Sequence, residues 1–364
     1  MYNKLTIKIG SNVLANSEGG LNRQRVNQLV EQIAQLHNSG KKVVLVSSGA
    51  VASARGLISI DKKLDRVSQR QLLSSIGQVK LINLYAELFA KHNIQVAQVL
   101  VTKEDFRTRE HYLNMKNCVN ALWQNNVIPI VNENDAVSVT ALMFTDNDEL
   151  SGMMASMMAC QGLIILSNIN GIYNGHPDLA ESKVIENINH KDTDLAKYIS
   201  TNKSDFGRGG MLTKCNIAKK TAASGINVHI ANGTIDNILL SLLDQSEKVV
   251  HTHFEASEPS PAIKQWIAYS EGFTKAEITI NEGALQALYS PKATSLLLAG
   301  ITAINGGFKK GDLVRILNTE KQTIGIGKAA YDIDKAEKHK HDKKYKPLVH
   351  YDYLYLYPEL ITEP

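Results

Sequence analysis

Two lysines, a concentration of carboxylates and two glycine-bearing turns lie far apart in this 364-residue chain, in four short polar segments. They are TIKIGSNVL at 6–14, VSSGAV at 46–51, VNENDAV at 131–137 with TDND at 145–148, and GRGGMLTK at 207–214. Each follows an apolar strand-like run or precedes a helix-like stretch, where loops at the carboxyl edge of an open α/β sheet collect ligand groups. Ammonium groups, bare backbone amides and carboxylates in one crevice are what phosphoryl transfer from Mg-ATP needs. Lys8 interrupts an apolar strand, and Gly10 just after it leaves backbone open to a phosphate. Gly209 and Gly210 precede a helix start whose amides can hold an anion, and Lys214 closes that segment. Ser48 and Gly49 offer a hydroxyl and adjacent amides directly after a strand. Asn132, Glu133, Asn134 and Asp135, then Asp146, Asn147 and Asp148, bracket one short segment and could grip an ammonium group. Taken singly, each has an ordinary alternative: a strand-face lysine, a helix N-cap, a solvated turn. The phosphate-loop signature GxxxxGK[ST] occurs nowhere.

The elements that must position these groups alternate from residue 4 to about 245. Apolar strands are expected at 4–9, 42–47, 94–101, 127–131, 162–167 and 227–231. Helices between them are marked by Leu29, Ile33 and Leu36, by Leu72, Ile76 and Val79, and by Leu113, Cys118 and Leu122. Short apolar strands separated by helices predict an α/β fold, a helix–sheet–helix sandwich around a mostly parallel open sheet. Residues 136–145 alternate like a hairpin beside the acidic loop. The run 150–166 is the most membrane-like, but Ser151, Ser156 and Gln161 interrupt it. It falls short of the roughly 20 apolar residues a span needs, so a buried helix leading into a strand is expected.

The texture changes near residue 256, which sets a first domain at 1–256, a linker at 257–275 and a small β-rich domain at 276–364. The linker holds SEPSP and a short helix-like segment around Trp266, and Gly306, Gly307 and Gly311 punctuate turns beyond it. The lysine-rich stretch 335–346 is expected as a solvated loop, and Tyr351, Tyr353, Tyr355 and Tyr357 as one face of a terminal strand. Tyrosines beside a basic loop can also stack on RNA bases. A net charge of +4 neither demands nor excludes a nucleic-acid partner. Cys118, Cys160 and Cys215 form no CxxC pair and suit a reducing cytosol. The amino terminus lacks a signal-peptide core, so a cytoplasmic location is expected. His251 with His253, and His339 with His341, complete no zinc pattern, and no metal site is expected in the protein itself.

The order of these segments, through ITINEGALQAL at 278–288 and SLLLAGITAINGGFKKGDLVRI at 295–316, resembles the amino acid kinase family. Within it, VNENDAV and the DND stretch resemble the members that phosphorylate free glutamate and carry a C-terminal PUA domain. The likeness implies ATP on one side of a crevice and L-glutamate on the other, with ATP and Mg²⁺ as cofactors. It implies transfer to the γ-carboxylate, the first step of proline synthesis, with proline as feedback inhibitor. It also implies a homo-oligomer of two or four chains, while the residues themselves predict no membrane partner and, from the tyrosines beside the basic loop, an RNA contact through the PUA-like domain. By the same resemblance Lys8, Lys214 and Asp148 are catalytic, and Ser48, Asp135, Asn147 and Asn132 bind glutamate. Lys8, Gly10, Ser167, Asn168, Gly209, Gly210, Met211 and Lys214 face the nucleotide. Three places depart from the family pattern: Ser167-Asn168 for Thr-Asp, Arg208 for threonine, and His176-Pro177-Asp178 for Asp-Pro-Arg. All lie on the nucleotide side. The competing readings are a kinase of aspartate or N-acetylglutamate, and an RNA-binding protein with a weakened kinase domain.

Overall fold

The computed structural model describes residues 2–364 apart from 17, 56, 59–63, 138–143, 145, 177–178, 180, 190–210, 245–247, 259–261, 291, 340–341, 343–344 and 358–364. The chain divides into two compact units, Met1–Pro259 and Ser260–Pro364. The first begins with β1 (Lys4–Ile9), α1 (Ser11–Leu14), α2 (Arg23–Asn38), β2 (Lys42–Ser47), α3 (Ala50–Ala54) and α4 (Arg66–Ala90). It continues with β3 (Gln95–Val101), α5 (Glu104–Arg107), α6 (Arg109–Gln124), β4 (Val127–Glu133), α7 (Asn147–Met157) and β5 (Gly162–Ser167). Then come β6 (Asn187–Ile188), α8 (Met211–Ala223), β7 (Asn227–Asn232), α9 (Ile238–Leu243) and β8 (Thr252–Phe254).

These strands form one sheet in the order β3-β4-β2-β1-β5-β7-β8-β6. All pairs from β3 across to β7 are parallel, and β8 runs antiparallel to β7. β1 is central. Leu5, Ile7 and Ile9 are fully buried on one face and Thr6 on the other, as a strand covered by helices on both sides requires. From β1 the chain steps to β2 on one side, and β5 is its neighbour on the other. The carboxyl end of β1 is therefore a switch point, where open sheets bind ligands. Lys8 and Gly10 stand there.

The expected strands are all present, and β4 runs two residues beyond its apolar stretch. Asn132 and Glu133 stay in the ladder because they pair with Leu100 and Val101. The expected helix and strand within 150–166 are α7 and β5, and α7 is buried along its whole length after its first residue and Glu149. α4 forms where expected but faces differently. Leu72 and Val79, which marked it, are 36% and 57% exposed. Ser74, Gly77, Gln78, Leu81, Tyr85 and Leu88 point inward instead. Gly77 sits so close to α3 that a Cβ there would lie 1.7 Å from the carbonyl oxygen of Ala50. Most of the hairpin expected at 136–145 lies outside the described residues. No helix among the described residues is long and apolar enough to cross a membrane.

The second unit contains α10 (Ala262–Ala268), β9 (Ala276–Ile280), α11 (Glu282–Leu288), β10 (Ile301–Gly306), β11 (Leu313–Leu317), β12 (Thr323–Ala329), α12 (Ile333–Lys338) and β13 (Val349–Leu356). Its sheet runs β10-β9-β11-β12-β13, closed over a core that includes Ile278, Ile280, Val314, Ile316 and Ile324. Trp266 on α10 is buried, and α10 packs on β13. The lysine-rich stretch starts as helix rather than loop, since α12 buries Ala336 against this core. Tyr351 and Tyr353 are exposed while Tyr355 is buried, so the terminal strand dips into the core along its length.

A cluster of imidazoles occupies the β7–β8 pair. His229 opposes His253, with the rings stacked 4.5 Å apart. His229 Nδ1 lies 3.1 Å from His251 Nε2, and its Nε2 lies 2.9 Å from the Tyr2 hydroxyl. Burial, then the neighbouring His253 and His251, push His229 from an ordinary 6.5 down to about 3. The folded protein thus rejects a proton that the unfolded chain accepts. Stability from this group is complete above pH 6.5 and drains away down to about 3, at up to about 1.4 kcal/mol per pH unit. Urea unfolding of His229→Asn should show a flatter decline with acidification than wild type across that window; parallel declines would contradict the assignment.

Candidate active site

The site is built around Asp148, in the first turn of α7 and fully buried. Asp146 caps that turn, its Oδ1 accepting from the backbone N–H groups of Asp148 and Glu149 at 2.9 and 3.1 Å. Lys8 reaches from β1 to place Nζ 2.6 Å from Asp148 Oδ1. Lys214, in the first turn of α8, places Nζ 2.5 Å from Oδ2. Gly10 makes room: a Cβ there would stand 3.5 Å from Lys8 Nζ and 3.0 Å from the Leu166 carbonyl oxygen that accepts the Gly10 N–H.

Burial by itself would push the Asp148 carboxyl up, but the charges of Lys8 and Lys214 outweigh it and hold it below the usual carboxylate range. Burial would likewise lower Lys214, yet Asp148 and Asp146 overcome it and push the ammonium up. Asp146 is pushed up by burial and then by the charge of Asp148. Its Oδ2 is buried with no hydrogen-bond partner among the described residues.

One peptide bond away, Asn147 starts a second set of contacts. Its Nδ2 donates to Ser48 Oγ and to Asn132 Oδ1, each at 3.0 Å. Asn132 Nδ2 in turn donates to Gln78 Oε1 at 2.9 Å. Asp135 lies beside this chain, its Oδ1 held by Arg70 Nη2 at 2.6 Å and Nε at 2.8 Å. Ser74 Oγ donates to Asp135 Oδ2 at 3.1 Å. Glu133 Oε1 accepts the Phe144 N–H at 2.9 Å. Burial, followed by the charge of Asp135, pushes the Glu133 carboxyl up to about 7.

The structure therefore gathers Lys8, Asp148 and Lys214 into one ion cluster and Ser48, Asn147 and Asn132 into one hydrogen-bonded chain. Asp135 stands in a third group with Arg70, Ser74 and Glu133. Ser167 ends β5, the neighbour of β1, and its hydroxyl lies 3.5 Å from Asn168 Oδ1. Met211 opens α8. Gly209 and Gly210 lie outside the described residues, as does Arg208. The sequence pattern alone does not single out Arg70, Ser74 and Gln78. Their signal was a polar stripe at helical spacing, hidden behind the apolar residues that marked the same helix. Among the described residues no group of three or more His, Cys, Asp or Glu side chains could hold a metal ion.

An open α/β sheet bearing such a cluster at its switch point belongs with the kinases. More particularly, the chain belongs to the amino acid kinase family, which residues 3–232 match, while residues 276–350 match the PUA domain. It is similar to a glutamate 5-kinase of Bacteroides thetaiotaomicron, 56% identical over 358 residues, covering 98% of this chain and 99% of the relative. A glutamate 5-kinase of Chlorobaculum tepidum is 47% identical, with 98% of both chains covered. Among solved structures, the UMP kinase of Bacillus anthracis matches with a TM-score of 0.50 at 16% identity, covering 71% of this chain and 97% of its own. A carbamate kinase of Giardia lamblia bound to AMP-PNP also matches at 0.50, with 17% identity over 70% and 99%. These structural likenesses establish the fold.

Removing the carboxylate from the ion cluster would leave two buried ammonium groups facing each other. Asp148→Asn should lower unfolding free energy by about 3 kcal/mol, the scale for breaking a buried pair. Urea titration at neutral pH measures it. The wild-type advantage should vanish in acid, because a carboxyl with a lowered folded-state pKa loses its contribution as pH falls below the ordinary carboxylate range.

Proposed function

We propose that the chain transfers the γ-phosphoryl group of ATP to the side-chain carboxylate of L-glutamate, giving L-glutamyl 5-phosphate, the first step of proline biosynthesis. The observation that carries the geometry is the joining of the Lys8–Asp148–Lys214 cluster to the Asn147–Ser48–Asn132 chain through one peptide bond. The γ-carboxylate of glutamate has a pKa of about 4.3 and is ionised at neutral pH, so no general base is required. The difficulty is an anion approaching an anionic phosphate. Lys8 and Lys214 offset that repulsion and stabilise the in-line transition state, and Asp148 holds both ammonium groups in place. Ser48, Asn147 and Asn132 bind glutamate carboxylates, and Asp135 receives the α-ammonium. Gly10, Ser167, Asn168 and Met211 line the nucleotide side, and Gly209 and Gly210, outside the described residues, are assigned to the nucleotide by the family likeness alone.

Mg²⁺ fits this site as a companion of the phosphates. It ordinarily keeps phosphate and water oxygens with only one or two carboxylates. Asp146 Oδ2, buried and without a partner among the described residues, is the carboxylate oxygen that would meet it. Bound there, the ion would neutralise charge on the β- and γ-phosphates. Proline shares the α-carboxylate and ammonium of glutamate, which supports feedback inhibition at the same subsite. A homo-oligomer of two or four chains is proposed from the family likeness. The exposed Tyr351 and Tyr353, with Lys328 Nζ 5.6 Å over the Tyr353 ring, support an RNA contact through the PUA domain. Three free cysteines suit the cytoplasm. An RNA-binding protein with a weakened kinase is not favoured, given full-length likeness to curated kinases.

The test is an acyl-phosphate assay with ATP and Mg²⁺, trapping product with hydroxylamine. Hydroxamate should form with L-glutamate and not with aspartate or N-acetylglutamate; no product from glutamate would sink the reading. Lys8→Ala and Lys214→Ala should each lower kcat by about 10²–10³, and turnover within threefold of wild type would contradict their role. Asp135→Asn should raise KM for glutamate far more than KM for ATP, as steady-state titration of each substrate would reveal.

A further inference from the structure

α4 presents Arg70, Ser74 and Gln78 at successive four-residue spacing, one above the other on a single face. All three reach the end of β4 or the turn just after it: Arg70 binds Asp135 and Glu133, Ser74 binds Asp135, and Gln78 binds Asn132. Gln71, beside them, donates to the Ala136 carbonyl. A helix otherwise packed on the core thus turns a polar stripe towards the acceptor side of the site.

We propose that Arg70 is the positioning residue of the amine subsite, fixing the Asp135 carboxylate and offsetting the charge of Glu133 so that the subsite accepts one free α-ammonium. This rests on the glutamate reading above and adds the source of its preference for an unmodified amine. The geometry comes first. Both Nε and Nη2 of Arg70 bear on Asp135 Oδ1 while Ser74 holds Oδ2, so the carboxylate cannot swing and meets a ligand in one orientation. Arg70 Nη2 also lies 3.4 Å from Glu133 Oε2, bridging two carboxylates whose side chains are only 4% and 8% exposed.

Charge follows. Two buried carboxylates side by side resist ionising together, and one takes up a proton unless a cation intervenes. Glu133 is the member pushed up, by burial and then by Asp135, with Arg70 acting against that rise. With Glu133 raised to about 7 and so only partly ionised at neutral pH, Arg70, Asp135 and Glu133 together carry at most one net negative charge, which one ammonium cancels. An acylated amine brings no charge and leaves the subsite unbalanced. Without Arg70 the Glu133 carboxyl would rise further and hold its proton against Asp135, which would become a poorer acceptor for an ammonium.

The experiment is steady-state kinetics of the full chain with glutamate and ATP varied separately. Arg70→Ala should raise KM for glutamate at least tenfold, leaving kcat and KM for ATP within about threefold. Arg70→Lys, which keeps charge but loses the fork, should fall between. Arg70→Ala/Glu133→Gln should recover part of the lost affinity, because the charge Arg70 offsets has gone; a purely structural role would make the double variant worse. An unchanged glutamate KM in Arg70→Ala, or no recovery in the double variant, overturns the proposal. If Arg70→Ala does not fold, Arg70→Lys and Arg70→Lys/Glu133→Gln carry the same comparison. Wild-type protein that forms no hydroxamate from glutamate would refute the parent reading instead, so the two failures are distinct.

Discussion

A carboxylate cut off from water is tolerated only where its charge is met at once, and Asp148 is met twice. Lys8 comes from the central strand of the sheet and Lys214 from the first turn of a helix more than sixty residues further along than Asp148 itself. Either lysine buried without that partner would be an uncompensated charge, and with both on one carboxylate the cluster keeps one positive charge in excess. The cluster therefore ties β1, α7 and α8 together at one point. It also explains why α7, carrying Asp148 at its start, is sunk in the protein with serines as well as methionines facing inward.

The ion cluster and the neutral hydrogen-bonded chain divide the crevice by chemistry. On one side stand fixed positive charges, suited to phosphate. On the other stand amide and hydroxyl groups backed by a carboxylate pair, suited to an amino acid. Asn147 and Asp148 belong to different sides yet are adjacent in sequence, in the first turn of the helix that Asp146 caps. Alignment of acceptor and donor is thus a matter of one helical turn rather than of two independently placed loops.

Much of this was legible in the sequence. The strands are plain because they are short and apolar throughout, whereas the lysines, Asp and Asn each have an ordinary alternative and stand out through their joint order along the chain and its likeness to the kinase family. β4 outran its apolar stretch because backbone pairing with β3 does not depend on side-chain polarity. The buried face of α4 differs from the one its apolar residues predict for a related reason. Leu72 and Val79 suggested a core stripe, whereas the buried side carries Ser74, Gly77 and Gln78, whose inward orientation follows from partners elsewhere in the chain. Arg70 stayed hidden for the same cause: a lone arginine on a helix is usually a solvated one, and only the fold brings two carboxylates to it.

The contact between Gly77 and Ala50 carries a consequence for how such a site could diversify. With no space for even one added carbon, the two helices are locked at this crossing, and every larger residue would have to force the backbones apart. Gradual widening or narrowing of the acceptor side by sliding α4 is closed as an evolutionary route. New acceptor preferences would have to arise by exchanging side chains along an unmoving helix, one turn at a time.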